Sequence, residues 1–167
     1  NEKLGQKAYD ELSLREKFTY HMIHAESYSQ NCDAMPPIQN EQKKIFPFLP
    51  DAFDEYDWSE RQTKFMSANR DSVIAFMRES ISRSKRAGVN YKQAILEINA
   101  FEMIPDLIAV YTADTKTKDL DLITVMMVLM KENEYEPFLL SAPYKKLYAD
   151  EDNSYKAYLI YSKANED

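Results

Sequence analysis

Glycine is almost missing from this sequence. Gly5 and Gly88 are the only two in 167 residues, and neither belongs to an Asn-Gly, Asp-Gly or Gly-Gly pair. Tight two-residue hairpins draw on those pairs. Loops that cradle phosphate also need glycine, because the backbone must approach the ligand closely. Hairpin-built sheets and nucleotide sites of the Walker or Rossmann kind are therefore excluded. Cys32 is the single cysteine, so there is no internal disulfide and the redox compartment is left open. Positive charge is also short: 21 Lys and Arg stand against 28 Asp and Glu, for a net charge of -7. Phosphate backbones are bound by cations that displace counterions, so this is not a general nucleic-acid binder. The densest basic patch, "RESISRSKRAG" with Arg78, Arg83, Lys85 and Arg86, falls at the end of an expected helix, where cations complement the macrodipole. Long apolar runs are absent too. The longest, Leu122 to Met130, is about half of a membrane span.

What is present is helical signal. "SLRE" at Ser13 to Glu16 and "SERQ" at Ser59 to Gln62 are capping-box patterns, in which the serine takes an orphan amide and the third residue reaches back. The first opens a helix expected to run to about Asn31. The second opens one reaching Ala87, with a break near Asn69 and Gly88 as its stop. Between them a proline-rich connection, about residues 33–58, carries Pro36, Pro37, Pro47 and Pro50 and leaves room for a short helix over 39–46. From Asn90 a series of short helices is expected. "PDLIAVYT" has Pro105 suited to a first turn. "KDLDLITVMMVLMKEN" is apolar nearly all round and so buried on several sides. After it come "EPFLL", "PYKKLY" and a last helix in "NSYKAYLIYSKAN". No segment alternates as a strand does. The fold class is all-α, and length suggests a single domain over 1–167.

Two stretches echo each other. "IPDLIAVYTAD" and "APYKKLYAD" each read apolar-Pro, short helix, Tyr, then Ala-Asp, with their prolines 38 residues apart. "MIPDLIAVYTADTKTKDLDLITVMMVLMKEN" (Met103 to Asn133) resembles a HEAT-type repeat, in which a proline-bearing helix is followed by an Asp-containing turn and a second amphipathic helix. That resemblance covers the C-terminal half and implies an α-α superhelix of stacked pairs. It also implies a scaffold that binds other macromolecules without catalytic residues. An irregular helical bundle is the alternative architecture.

The stretch "YHMIHAESYSQNC" holds both histidines and the cysteine. At about 100° per residue on a continuous helix, His21 and Cys32 share an apolar stripe with Leu14, Phe18, Ala25 and Tyr28, and His24 borders it. Eleven residues of helix separate His21 from Cys32 by about 16 Å. Zinc ligands sit at about 2.0–2.3 Å, so those two cannot hold one ion. His21 and His24, one turn apart, can share zinc or another transition metal if further ligands come from elsewhere, such as the acidic run Asp51, Asp54, Glu55, Asp57 and Glu60. Cys32 stands beside Asp33, the wrong field for a thiolate. Packing is the reading adopted for His21, with the metal site as the alternative. Neither the acidic run nor "DEDNS" (Asp150 to Ser154) has the central glycine of a calcium loop, and both read as solvated surface.

Tyrosine is abundant, with twelve copies beside the lone Trp58. Trp58, Tyr111, Tyr144, Tyr148 and Tyr158 are the candidates to line a partner or ligand groove, since tyrosine and tryptophan join a large contact area to a polar tip. No motif specifies a reaction. The expectation is a non-catalytic interaction module for a protein or peptide, with no nucleic acid and no membrane span. The alternatives are a metal-dependent protein using His21 and His24, and a helical protein binding a small ligand. The chain begins at Asn1 rather than methionine, so either an N-terminal segment was removed or the sequence is a piece of a longer protein. A cleaved export signal is the reading adopted, and with it an extracytoplasmic location is expected.

Overall fold

A computed structural model describes residues 3–30, 38–149 and 156–167. The fold is all-α. In chain order the helices are α1 (Gln6–Glu11), α2 (Leu14–Ile23), α3 (Glu60–Ala68), α4 (Arg70–Ser84), α5 (Val89–Glu97), α6 (Ile104–Ala113), α7 (Leu120–Glu132), α8 (Glu136–Leu139), α9 (Ala142–Tyr148) and α10 (Lys163–Glu166). Among the described residues four two-residue strands accompany them: β1 (Ser27–Tyr28), β2 (Lys44–Ile45), β3 (Tyr56–Asp57) and β4 (Leu159–Ile160). The chain divides into two compact units, Asn1–Met35 with Asp51–Ile98, and Pro36–Pro50 with Asn99–Asp167.

In the first unit both expected capping boxes form. The Ser13 hydroxyl accepts from the Glu16 amide while the Glu16 carboxylate accepts from the Ser13 amide at 2.8 Å. At the head of α3 the Gln62 side-chain oxygen accepts from the Ser59 amide at 3.0 Å. The break at Asn69 is real: its φ of -116° interrupts α3 from α4, and its side chain donates to the Phe65 carbonyl. α2 lies against α4 and α5, with Phe18 wedged between Phe76 and Tyr91 at ring separations of 5.4 and 5.9 Å. Met66, Val73, Met77 and Ile95 are wholly buried in the same unit, each worth about 2 kcal/mol of transfer free energy.

Two sequence expectations fail here. α2 stops at Ile23 instead of reaching Asn31, because His24 turns extended (φ -147°, ψ 119°) and the chain enters β1, antiparallel to β3. The backbone that leaves the helix is recaptured by Gln62, which donates to the His24 carbonyl at 2.7 Å and accepts from the Glu26 amide at 3.1 Å. α4 is ended by Lys85 rather than Gly88. Lys85 takes the left-handed conformation (φ 58°) and donates its amide to Ile81, whereas Gly88 has an ordinary φ of -65° and precedes α5.

The second unit is organised on α7, which buries Leu120, Leu122, Ile123, Thr124, Val125, Met127 and Leu129. It touches α6, α8 and β2. Pro105 and Pro143 sit in the first turns of α6 and α9, where a missing amide costs nothing. Two long-range hydrogen bonds fix the segment before Pro50. Thr124 donates to the Phe46 carbonyl at 2.8 Å, and the Tyr148 hydroxyl donates to the Pro47 carbonyl at 3.0 Å.

That same segment departs from expectation. The helix expected over 39–46 is only a 3-10 turn (Glu41–Lys43), after which β2 pairs antiparallel with β4. The last expected helix is likewise replaced. Leu159–Ile160 is strand, the Tyr161 amide donates to the Lys43 carbonyl at 2.9 Å, and helix resumes only over Lys163–Glu166. Pairing with β2 supplies the hydrogen bonds that a helix there would otherwise make. Cys32, Pro36, Pro37 and Tyr155 lie outside the described residues.

Candidate functional site

His21 is completely buried. Its Nε2 and the Tyr9 hydroxyl share a hydrogen bond of 3.0 Å, the two rings are nearly parallel, and Phe65 meets the imidazole edge-on at 4.7 Å. Burial pushes its pKa down to about 4, with Arg61 and Lys17 acting in the same direction and Glu26 against it. His21 is thus a neutral imidazole set among aromatic rings. Its Nδ1, like the Nε2 of His24, is buried without a hydrogen-bond partner. Among the described residues no group of three or more His, Cys, Asp or Glu is placed to hold a metal ion. The acidic run Asp51 to Glu60 does not join the histidines in such a group.

Beside His21 lies a feature the sequence reading missed. The Glu26 carboxylate is fully buried and ion-paired with Arg61, which grips it through Nε and Nη2. The Ser59 and Tyr20 hydroxyls donate to the same carboxylate at 2.5 and 2.9 Å. Burial alone raises the pKa of Glu26, but these three donors outweigh it and hold the group at about 2. Arg61 in turn donates to the Leu4 carbonyl and stacks 4.2 Å from the centre of the Tyr9 ring. Arg61, Ser59 and Tyr20 all donate to this carboxylate, so the cluster ties α1, α2 and α3 together. Thirty-five residues separate Glu26 from Arg61, and no local pattern marks such a pair.

The expected groove aromatics are scattered. Trp58, in the first unit, donates its indole N–H to the His21 carbonyl at 2.8 Å and packs on Phe53. Tyr111 is buried beneath the Lys118 ammonium, 4.5 Å from the ring centre, and burial drives its pKa above the usual range. Tyr144 and Tyr148 stack at 5.5 Å and both meet Phe138 edge-on. Tyr158 carries Lys44 over its face and tilts against Phe46. None of these five lines the apolar cavity bounded by α6, α7, α8 and α9.

That cavity belongs to the second unit and has a volume of about 450 Å³. One wall is α7, where Ile123, Met126, Met127 and Met130 recur at steps of three and four residues. Ile104 and Ile108 of α6 form another, and Tyr135, Pro137, Phe138 and Pro143 close the α8–α9 side. Residues Ala164 to Asp167, at and beyond α10, complete the lining. α10 is moored by Glu166, which accepts from the Tyr161 hydroxyl at 3.1 Å and lies 3.8 Å from the Lys118 ammonium. Ile108 and Tyr135 are each 47% exposed, so the cavity is a groove open to water. Its lining is mostly apolar, with Ser141, Asn165, Glu166 and Asp167 as its polar members.

A signal for this groove was present in the sequence. The all-round apolarity of α7 was legible, and the Met and Ile positions follow the i, i+3, i+4, i+7 spacing of a single face. Which face stays uncovered depends on what packs against the others. Among the described residues, no helix is long and apolar enough to cross a membrane. Comparison with protein-family models, with curated proteins and with solved structures finds no match to the chain.

Proposed function

We propose that this protein is a non-catalytic interaction module that holds a protein or peptide partner in the groove between α6, α7 and α8. The observation that carries the reading is an apolar wall left open to water. Ile108 and Tyr135 stand half exposed beside Met126 and Met130, and soluble proteins seldom leave such a surface contiguous unless something covers it. Methionine suits the role because its unbranched, polarisable side chain repacks around different anchors. The α6–α7 pair, joined by the turn at Asp114–Asp119 and in mutual contact, supports the helix-pair reading of Met103 to Asn133 as a HEAT-like unit. Aromatic anchoring by Trp58 or the four tyrosines forms no part of the proposal, since each is engaged in its own packing.

The test is paired capture from an extract of the source organism with the wild-type chain and with Met126→Glu, each with and without EDTA. A discrete partner held by the wild type, lost with Met126→Glu and indifferent to EDTA supports the groove. Capture that Met126→Glu leaves intact contradicts it. Loss on chelation returns attention to His21 and His24 as metal ligands. A cavity of about 450 Å³ also lies within the size range of small-ligand sites. That second reading predicts a ligand-induced rise in melting temperature with no macromolecular partner.

A further inference from the structure

We infer that the occupant of this groove is a cationic amphipathic helix, an inference that rests on the groove reading above. Charge is the first argument. The second unit holds fourteen acidic residues against nine basic ones, a net -5 out of the chain's -7. The groove lining concentrates that sign: its only charged members are Glu166 and Asp167. Glu134 and Glu136 flank the lining residue Tyr135, are exposed, and carry no ion pair among the described residues. Asp167 is paired with Lys163 at 3.0 Å, and Lys163 is 77% exposed. Such a surface pair is weak and easily exchanged for an incoming cation. Glu166 also lies 3.8 Å from Lys118 and 3.7 Å from Lys163. The lining itself, however, holds carboxylates and no cation, and Glu134 and Glu136 adjoin Tyr135 in the chain. The groove therefore suits a partner whose apolar stripe is bordered by Lys or Arg. It repels nucleic acid and anionic lipid, whose phosphates carry the wrong sign.

Shape is the second argument. The walls are helix faces, Ile104 and Ile108 one turn apart on α6 and Ile123, Met126 and Met130 along α7. A trough between helices receives another helix through anchors at i, i+3, i+4 and i+7. No strand contributes to the lining, so an extended peptide finds no edge there to which it can add its backbone.

The test uses three synthetic peptides of about 18 residues, long enough for five helical turns. They share one leucine stripe, and their polar face is Lys and Arg, or Gln, or Glu. Binding is read by fluorescence anisotropy against the full chain. The cationic peptide is expected to bind about tenfold more tightly than the Gln peptide at low salt, with the gap closing near half-molar salt as screening sets in. The double variant Glu134→Gln, Glu136→Gln, at exposed positions and checked for an unchanged melting temperature, is expected to narrow the same gap. Equal affinity for the cationic and Gln peptides, or a preference for the Glu peptide, overturns the inference. If the cationic and Gln peptides bind equally and Met126→Glu abolishes both, the groove stands and only the charge assignment falls. If none of the three binds at millimolar concentration, both fall.

Discussion

Acidification from about pH 7 to about pH 4 is expected to weaken the first unit through His21. In the folded chain burial holds this imidazole at a pKa of about 4, against an ordinary value of 6.5. Between those values the unfolded chain binds a proton that the folded chain refuses. Stability is therefore full above pH 6.5 and falls as the pH drops through the window, reaching its limit near pH 4, where the folded imidazole protonates as well. At about 1.36 kcal/mol per pH unit, the loss from this one group is on the order of 3 kcal/mol. His21 has no exposed surface, so solvent screening does not reduce it. Trp58 is the only tryptophan and donates to the His21 carbonyl, so its fluorescence reports unfolding of this unit. Urea midpoints would be recorded in steps from about pH 7 to pH 4 for the wild type and for His21→Gln, which is polar, similar in bulk and does not titrate. The wild type is expected to lose about 3 kcal/mol more than the variant across the window. Parallel pH profiles would refute the reasoning, because the loss would then belong to other groups.

Glu26 should add a second acid step. Its pKa is held at about 2 against an ordinary 4.5, so its contribution is present above pH 4.5 and drains away as pH falls towards 2, a loss visible in acid-unfolding curves as a phase that Glu26→Gln removes. At neutral pH Glu26→Gln leaves Arg61 without a counter-charge and should cost about 3 kcal/mol. Arg61→Met in the same chain should recover part of that, a coupling measurable in a double-mutant cycle. Lys85→Gly relieves a left-handed residue at the end of α4 (φ 58°) and should raise stability by about 0.5–1 kcal/mol in the same urea assay. Tyr148→Phe strands the buried Pro47 carbonyl and should lower stability of the second unit by about 1 kcal/mol, read by thermal melting of its helices.

Local chemistry was legible in the sequence and long-range pairing was not. Ser13, Ser59, Asn69, Pro105 and Pro143 act through neighbours within a turn, and each helix boundary they specify is where local chemistry puts it. The end of α2 depends instead on Gln62, which is 38 residues from the His24 carbonyl it satisfies. The loss of the last helix depends on β2, more than a hundred residues from β4. Lys85 carries no local signal for a different reason: a left-handed cap draws glycine by preference, and the nearest glycine is Gly88, three residues on. The candidate groove stands between these cases. Its residues announce an apolar helix, but the uncovered face is decided by how α6, α8 and α10 pack around α7. His21, on the apolar stripe of its helix, is wholly buried among Tyr9, Tyr20 and Phe65. The carboxylate–guanidinium pair beside it carried no local signature at all.

The most direct measurement is a titration of methyl-labelled methionine by NMR with the cationic peptide. Of the eight methionines, Met126, Met127 and Met130 line the groove, while Met66 and Met77 are wholly buried in the first unit. The account predicts saturable shifts of the Met126 and Met130 methyl signals with Met66 and Met77 unmoved. Static Met126 and Met130 signals at saturating peptide, or shifts confined to the other methionines, would contradict it.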